Sequence, residues 1–475
     1  MKRKFALATA LACISLASCQ GPQVKEAKNV IFFLGDGMGM TTMTAARIYS
    51  VGEDGTLTMD TLPETAFIKT YSNNAQVTDS APSMAAYMTG YKMNNEVISM
   101  TTNTVAVSPV ADSNGNMLGN NCGSNNGSPV ATLLELAIGK SMATGVVTTT
   151  RVTHATPAAT YAHICHRDLE NDIAAQLAPG GTGYNRNLGN GVDVILGGGY
   201  DYFKPYDAAT KTGKRADGRN LIDEMKTKGY SYVSDEAGFK GIDTGKISKL
   251  LGLFTKSHMS YDIDRDSSKE PSLAEMTTKA MDILAKNENG YFLMVEGGRI
   301  DHALHETTGR KALQDTVAFD DAIKAAIDKA KVNDPELKNT LIVVTADHDH
   351  TLVLNGYAKR LGKTTSSEPG VLGLVKDPLT GNVSNDADGM PYTIMGFGNG
   401  ENRVAGARST APALTDTQIA DKAYHQEAAI PTSAGSETHG GTDVFLGAIG
   451  RGADVFHGTL ENNKVFDLIK SVTKL

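Results

Sequence analysis

Five short, nearly continuous apolar runs constrain this chain more than any other feature. Residues 30–34 end at Gly35-Asp36-Gly37, 192–196 at three glycines, 291–295 at Glu296-Gly297-Gly298 and 341–345 at Ala346-Asp347-His348, while 145–150 lead into Arg151. A strand exposed on one face alternates apolar and polar residues; one buried on both faces does not, so these runs read as central strands of a parallel sheet. Helical patterns lie between them at 42–49, 83–88, 129–140, 272–285, 310–331 and 461–472. Alternating strands and helices predict an α/β fold: a large central, mostly parallel sheet flanked by helices on both faces. Ligands of such sheets bind at the carboxyl ends of the strands. The acids and histidines that close these runs are therefore placed for chemistry.

Composition bounds the rest. With 475 residues, 40% hydrophobic and 21% charged, the chain suits one large domain with insertions or two ordinary ones. Residues from about 356 to 430 are polar, rich in Gly, Ser, Thr and Asp, and weakly periodic, which reads as an insertion. No stretch is basic enough for a nucleic-acid surface. At the start, Lys2-Arg3-Lys4 precedes a short apolar stretch, and Leu16-Ala17-Ser18-Cys19 resembles a bacterial lipobox. Cleavage before Cys19 would leave that thiol to carry lipid, and Gln20 in place of Asp points to the outer membrane of a Gram-negative cell. Simple secretion to the periplasm is the alternative. Loss of three cationic side chains takes the net charge from -8 to -11. Cys122 and Cys165 remain, and in an oxidising compartment they can pair or stay as separate thiols.

Six segments carry candidate chemistry. Asp36 lies between glycines at a strand end, where helix capping is the bland reading. In Thr78-Asp79-Ser80-Ala81-Pro82-Ser83, Pro82 suits a first helical turn, which sets Ser80 at a helix N-terminus, as a cap or facing a bound phosphate. Asp301 and His305 are four apart, so on a helix they share a face and can hold one metal. Asp347 and His348 close a strand, and His439 sits in the Gly-rich loop Glu437-Thr438-His439-Gly440-Gly441. The sixth segment contains His154-Ala155-Thr156-Pro157 and Arg167, whose fork can bind two phosphate oxygens. Asp, Glu and His ligands without a Cys cluster suit zinc beside a harder magnesium ion.

In this order, from about residue 28 to 458, the segments Asp-Gly-Met-Gly, Thr-Asp-Ser-Ala, His-Ala-Thr-Pro, Val-Glu-Gly-Gly-Arg-Ile-Asp-His, Thr-Ala-Asp-His and Glu-Thr-His-Gly-Gly resemble the alkaline phosphatase family. Residues 147–152 and Gly297-Gly298-Arg299 look closer to its animal and marine-bacterial branches than to its enteric one. The N-terminal residues give a signal peptide at 1–18 and a tether at 19–27; the resemblance implies one catalytic domain at 28–475, its insertion at about 356–430 corresponding in position to a crown-like or large-loop element. It implies two zinc ions and one magnesium: Asp301, His305 and His439 around the first zinc; Asp36, Asp347, His348 and Ser80 around the second; Asp36, Thr156 and Glu296 around magnesium. Arg167 would clamp phosphate, with His154 and His302 nearby. Ser80 would attack phosphate monoesters through a phosphoseryl intermediate, in a homodimer. Where the animal branch has a Phe-Glu pair for calcium, this chain has Phe254-Thr255, so no calcium site is expected. Two other functions share these residues: a phosphodiesterase of the same superfamily, which typically has a Thr nucleophile and lacks the clamp, and a non-enzymatic lipoprotein that captures metal or phosphate.

Overall fold

The computed structural model describes residues 26–112, 117–118 and 121–475. The signal sequence, Cys19 and most of the expected tether lie outside these residues; Ala27 is buried and its N–H donates to Val472 O at 2.8 Å.

Among the described residues, ten strands form one sheet. Across it run Gly458–Glu461, Glu64–Lys69, Val444–Gly450, Thr340–Ala346, Asn29–Gly35, Tyr291–Gly297, Ala143–Arg151, Val194–Gly198, Leu250–Leu253 and Ser231–Val233. All neighbours pair in parallel except Val444–Gly450, which runs against both of its partners. The strands at the centre are buried on both faces, which accounts for their lack of alternation. Helices cover the sheet, including Gly309–Asn333, which packs on Leu273–Leu284 and Met40–Val51.

Most of the expected elements form where local chemistry marks them. Ser272 caps the helix Leu273–Leu284: its hydroxyl accepts from Glu275 N–H at 3.2 Å while Glu275 accepts from Ser272 N–H at 2.8 Å, a reciprocal cap worth about 1 kcal/mol. The helix expected over 129–140 starts later, at Leu133–Gly139, behind the cap Thr132. Pro129 is in a bridge with Met100, and Val130 N–H donates to Ser99 O at 3.0 Å, so these residues are committed to extended pairing. The strand expected at 192–196 is displaced to Val194–Gly198, since Asp193 accepts from Thr144 N–H at 2.9 Å just before it.

Residues 356–430 supply two strands, Met395–Gly400 and Ala428–Pro431, of a separate three-stranded sheet completed by Leu352–Leu354. Cys122 and Cys165 form a disulfide, which decides between the two states left open by the sequence. No helix among the described residues is long and apolar enough to cross a membrane.

Candidate active site

Four adjacent strands converge on one pocket. Glu296 is in register with Leu34 on one side and Thr148 on the other, and Gly35 is in register with Ala346. Parallel register therefore delivers Asp36, Glu296 and Asp347 to the same end of the sheet. Gly37 closes the first of these ends at φ +66°, and a Cβ there would lie 2.5 Å from His350 Nε2. Only glycine fits. Its N–H donates to Asp347 Oδ1 at 3.0 Å.

Ser80 is the first residue of the fully buried helix Ser80–Thr89. The helix cap is Asp79, not Ser80, and the Asp79 side chain makes no capping bond, because its carboxylate is engaged by Arg167 and by Glu96 N–H. Ser80 is thus free of a capping role. Its Oγ lies 3.0 Å from His348 Nε2 and 3.4 Å from Asp36 Oδ1. His348 Nδ1 faces the Asp349 carbonyl at 3.2 Å. A carbonyl only accepts, so Nδ1 carries the hydrogen and the lone pair of Nε2 points into the pocket. That lone pair also faces Asp36 at 3.3 Å and Asp347 at 3.4 Å.

The helix Arg299–His305 does place Asp301 and His305 on one face. His305 Nδ1 donates to the Glu437 carbonyl and His439 Nδ1 to the Thr78 carbonyl at 2.7 Å. Both rings are thereby fixed with Nε2 turned inward, 3.2 Å apart. Asp301 Oδ1 lies 3.2 Å from the first and 3.5 Å from the second. A fourth group joins them. The two-residue pairing of Asp349–His350 with His439–Gly440 sets His350 opposite His439, and His350 bridges Glu437 at 2.5 Å and Asp301 at 2.8 Å.

The third cluster is Asp36, His154 and Glu296. Thr156 donates to Asp36 Oδ2 at 3.3 Å, and Thr148 and Thr150 both reach Glu296 Oε2. Glu296 Oε1 and Asp347 Oδ2 are buried and have no hydrogen-bond partner among the described residues. Burial and then the Asp36 charge push the Glu296 and Asp347 carboxyls well above their usual range. Asp301 goes the other way: burial would raise it, but His305 and His350 hold it well below. Convergent imidazole nitrogens, crowded carboxylates and orphaned acceptors are the environment that bound cations satisfy. The residues present fit metal ions in all three clusters.

Arg167 borders the pocket. It donates to Asp79 and, at 3.0 Å, to His154 Nε2. Burial would lower its pKa, but Asp79 and Glu96 outweigh it and hold the guanidinium charged. The same bond explains His154, which burial and Arg167 push well below its ordinary value and keep neutral. His302 is pushed down to about 4, chiefly by burial, and packs against His154 with ring centroids 5.3 Å apart. The Cys122–Cys165 disulfide ties down the loop that carries Arg167.

All twelve site residues expected from the sequence border this pocket or one another in it. Sequence reasoning missed His350, Glu437, Thr148, Thr150 and Asp79 as contributors, and His258, whose ring centroid lies 4.2 Å from that of His302. His350 had a legible signal: it ends the Asp-His-Asp-His run. The threonines had none, since Thr is common in buried strands.

A family model described as alkaline phosphatase matches residues 27–475. Alkaline phosphatase of Gadus morhua is 38% identical over 475 residues, covering 94% of this chain and 92% of that protein. The human tissue-nonspecific isozyme is 37% identical over 473 residues, covering 92% and 82%. Among solved structures, a cold-active alkaline phosphatase from a psychrophilic Shewanella is 26% identical, covers 93% of this chain and 99% of its own, and superposes with a TM-score of 0.63.

Proposed function

Since the chain belongs to the alkaline phosphatase family, we propose that it cleaves phosphate monoesters with the Ser80 hydroxyl as nucleophile, through a phosphoserine intermediate. As a member of that family the protein is a phosphomonoesterase, and its three ligand clusters make it a metal-binding one. The observation that supports the residue assignment is that Ser80 Oγ lies 3.0 Å from His348 Nε2 and 3.4 Å from Asp36 Oδ1, two members of the buried groups able to hold metal ions.

Two zinc ions and one magnesium suit these donors. Asp301, His305 and His439 would hold the first zinc, Asp36, Asp347, His348 and Ser80 the second, and Asp36, Thr156 and Glu296 magnesium. Bound there, they supply Lewis acidity that lowers the pKa of hydroxyl groups and offsets negative charge on the transferring phosphoryl group. The rest of the work belongs to side chains. Arg167 spends one hydrogen of each terminal nitrogen on Asp79 and His154, and the others remain to hold two phosphate oxygens. Asp79 keeps that fork in place. Ser80 Oγ gives up its proton to solvent and attacks phosphorus in line; the Oγ–P bond forms as the ester P–O bond breaks, and the departing alkoxide takes a proton from solvent and leaves as the alcohol. Water then attacks phosphoserine from the vacated side, which frees inorganic phosphate and returns the hydroxyl. His154 and His302, both neutral, line the wall without adding charge.

Ser80 and Arg167 favour monoesters over diesters, because a clamp for two phosphate oxygens suits a terminal phosphoryl group. Initial rates on p-nitrophenyl phosphate should exceed those on bis-p-nitrophenyl phosphate by about 10²-fold or more, the scale expected when an oriented charge-assisted contact is lost. A diester preference would overturn this reading.

His350 acts through Asp301, bridging it to buried Glu437. Such supports of metal ligands are typically worth about 10- to 100-fold in affinity. His350→Ala should release metal at correspondingly lower chelator concentration, as read by metal content after graded chelation. Unchanged retention would show that Asp301 needs no such support.

We propose further that the N-terminal segment directs export as a lipoprotein anchored through Cys19, at the outer membrane or in the periplasm, and, from the family resemblance alone, that the protein assembles as a homodimer. Labelling with radioactive palmitate tests the anchor, and Cys19→Ala should remove the label.

A further inference from the structure

Glu96 occupies an unusual place beside the anion clamp. It is not glycine, yet its φ is 73°, a region that costs most side chains energy and that glycine enters freely. Its main chain links the two halves of the clamp. Glu96 N–H donates to Asp79 Oδ2 at 2.9 Å, and Arg167 N–H donates to Glu96 O at 2.8 Å. Asp79 in turn receives the Arg167 guanidinium. The three residues close a ring of contacts around the base of Arg167. The Glu96 side chain is 41% exposed and stands 3.8 Å from His166 Nε2.

We propose that Glu96 is a positioning residue of this clamp: its main chain locks Arg167 to Asp79, and its carboxylate weakens the hold of the clamp on inorganic phosphate. The inference rests on the phosphatase reading above. Asp79 already matches the Arg167 charge at contact distance, so a further carboxylate is redundant for holding the arginine. It subtracts from the positive potential that an incoming or departing phosphate meets. Glycine would satisfy the backbone at lower cost, so the backbone alone does not account for a glutamate.

The charged and titratable groups facing Glu96 are Asp79, Arg167, Asp168 and His166. Burial and the Asp79 charge push its carboxyl up to about 7, against the opposing pull of Arg167. Its negative charge is therefore small at pH 6 and full at pH 9, and the loosening of phosphate grows across that window.

The test uses the metal-loaded enzyme and the competitive inhibition constant of inorganic phosphate. Each variant is compared with wild type at the same pH, so that the ionisation of phosphate itself cancels. Glu96→Gln and Glu96→Gly should bind phosphate about fivefold more tightly than wild type at pH 9, the scale of one charge acting across a few ångströms of wet protein, with the ratio shrinking toward one at pH 6. Glu96→Val, β-branched and unable to hold this φ, should instead loosen phosphate at both pH values. Equal affinity of Glu96→Gln and wild type at pH 9, or loosening by all three variants alike, would overturn the proposal. Wild-type turnover of p-nitrophenyl phosphate is read alongside. Turnover with a flat affinity ratio overturns this inference alone, whereas absent turnover overturns the phosphatase reading beneath it.

Discussion

Ser80→Ala should lower kcat on p-nitrophenyl phosphate by on the order of 10³-fold or more, equivalent to about 4 kcal/mol of transition-state stabilisation, while metal content is unchanged. The two halves of this expectation come from different atoms. Turnover falls because Ser80 Oγ faces His348 Nε2, at 3.0 Å, from the start of a buried helix. Metal stays because the carboxylates and imidazoles of all three clusters remain, and each ring is still oriented by its backbone carbonyl. A small cavity at one end of a buried helix costs little stability, so a folded protein is expected. Elemental analysis and steady-state rates on the same preparation decide the matter. Unchanged turnover would remove Ser80 from the mechanism; lost metal along with lost turnover would make it chiefly a ligand.

Stripping the metal should abolish activity and reverse the way stability depends on pH. In the metal-free protein Glu296 and Asp347 have folded-state pKa values above their unfolded ones. Such groups contribute stability that is fully present below the unfolded carboxylate pKa and is lost as pH rises through the folded value. His305, raised to about 10 as Asp301 overcomes the opposing effect of burial, has the same sign, and its contribution declines as pH rises from about 6.5 to about 10. Asp301 is lowered; it is ionised in both states above about pH 5 and adds no slope there. Above about pH 7 these terms agree in sign, so the melting temperature of the stripped protein should fall from pH 7 to pH 9; below that, His154 and His302, whose folded pKa values are lowered, add stability as pH rises through about 6.5 and oppose the fall. Metal binds only deprotonated ligands, so the loaded protein should gain relative to the stripped one as pH rises, by about 4 kcal/mol for each site filled at a thousandfold over its Kd. Differential scanning fluorimetry with and without chelator across this range measures both curves. A stripped protein that is most stable at pH 9, or chelator-insensitive activity, would contradict the assignment of these clusters as metal sites.

Arg167 shows how far sequence reasoning reaches and where it stops. Its suitability for phosphate follows from side-chain chemistry alone. Its partners Asp79 and His154 are 88 and 13 residues away, and no local pattern announces the pairing. Ser80 is a sharper case. Pro82 and the following apolar run announce a helix start, but a capping serine and a nucleophilic serine look alike in a single chain. What the tertiary structure adds is that Asp79, not Ser80, takes the cap position and turns its carboxylate to Arg167.

What the sequence determined by itself is the kind of fold and the chemical types at its strand ends. Those are local properties: unbroken apolar runs demand burial on both faces, and the residues that end them sit where a parallel sheet opens. The ordered motifs also carried the family. Tertiary structure decided the rest, because the site is built from register. Pairing of Leu34 with Glu296, and of Glu296 with Thr148, brings residues more than a hundred positions apart to one pocket. The short pairing of His350 with His439 adds a histidine that spacing alone left unassigned. Contacts set by strand register depend on the whole sheet, and no window of sequence contains them.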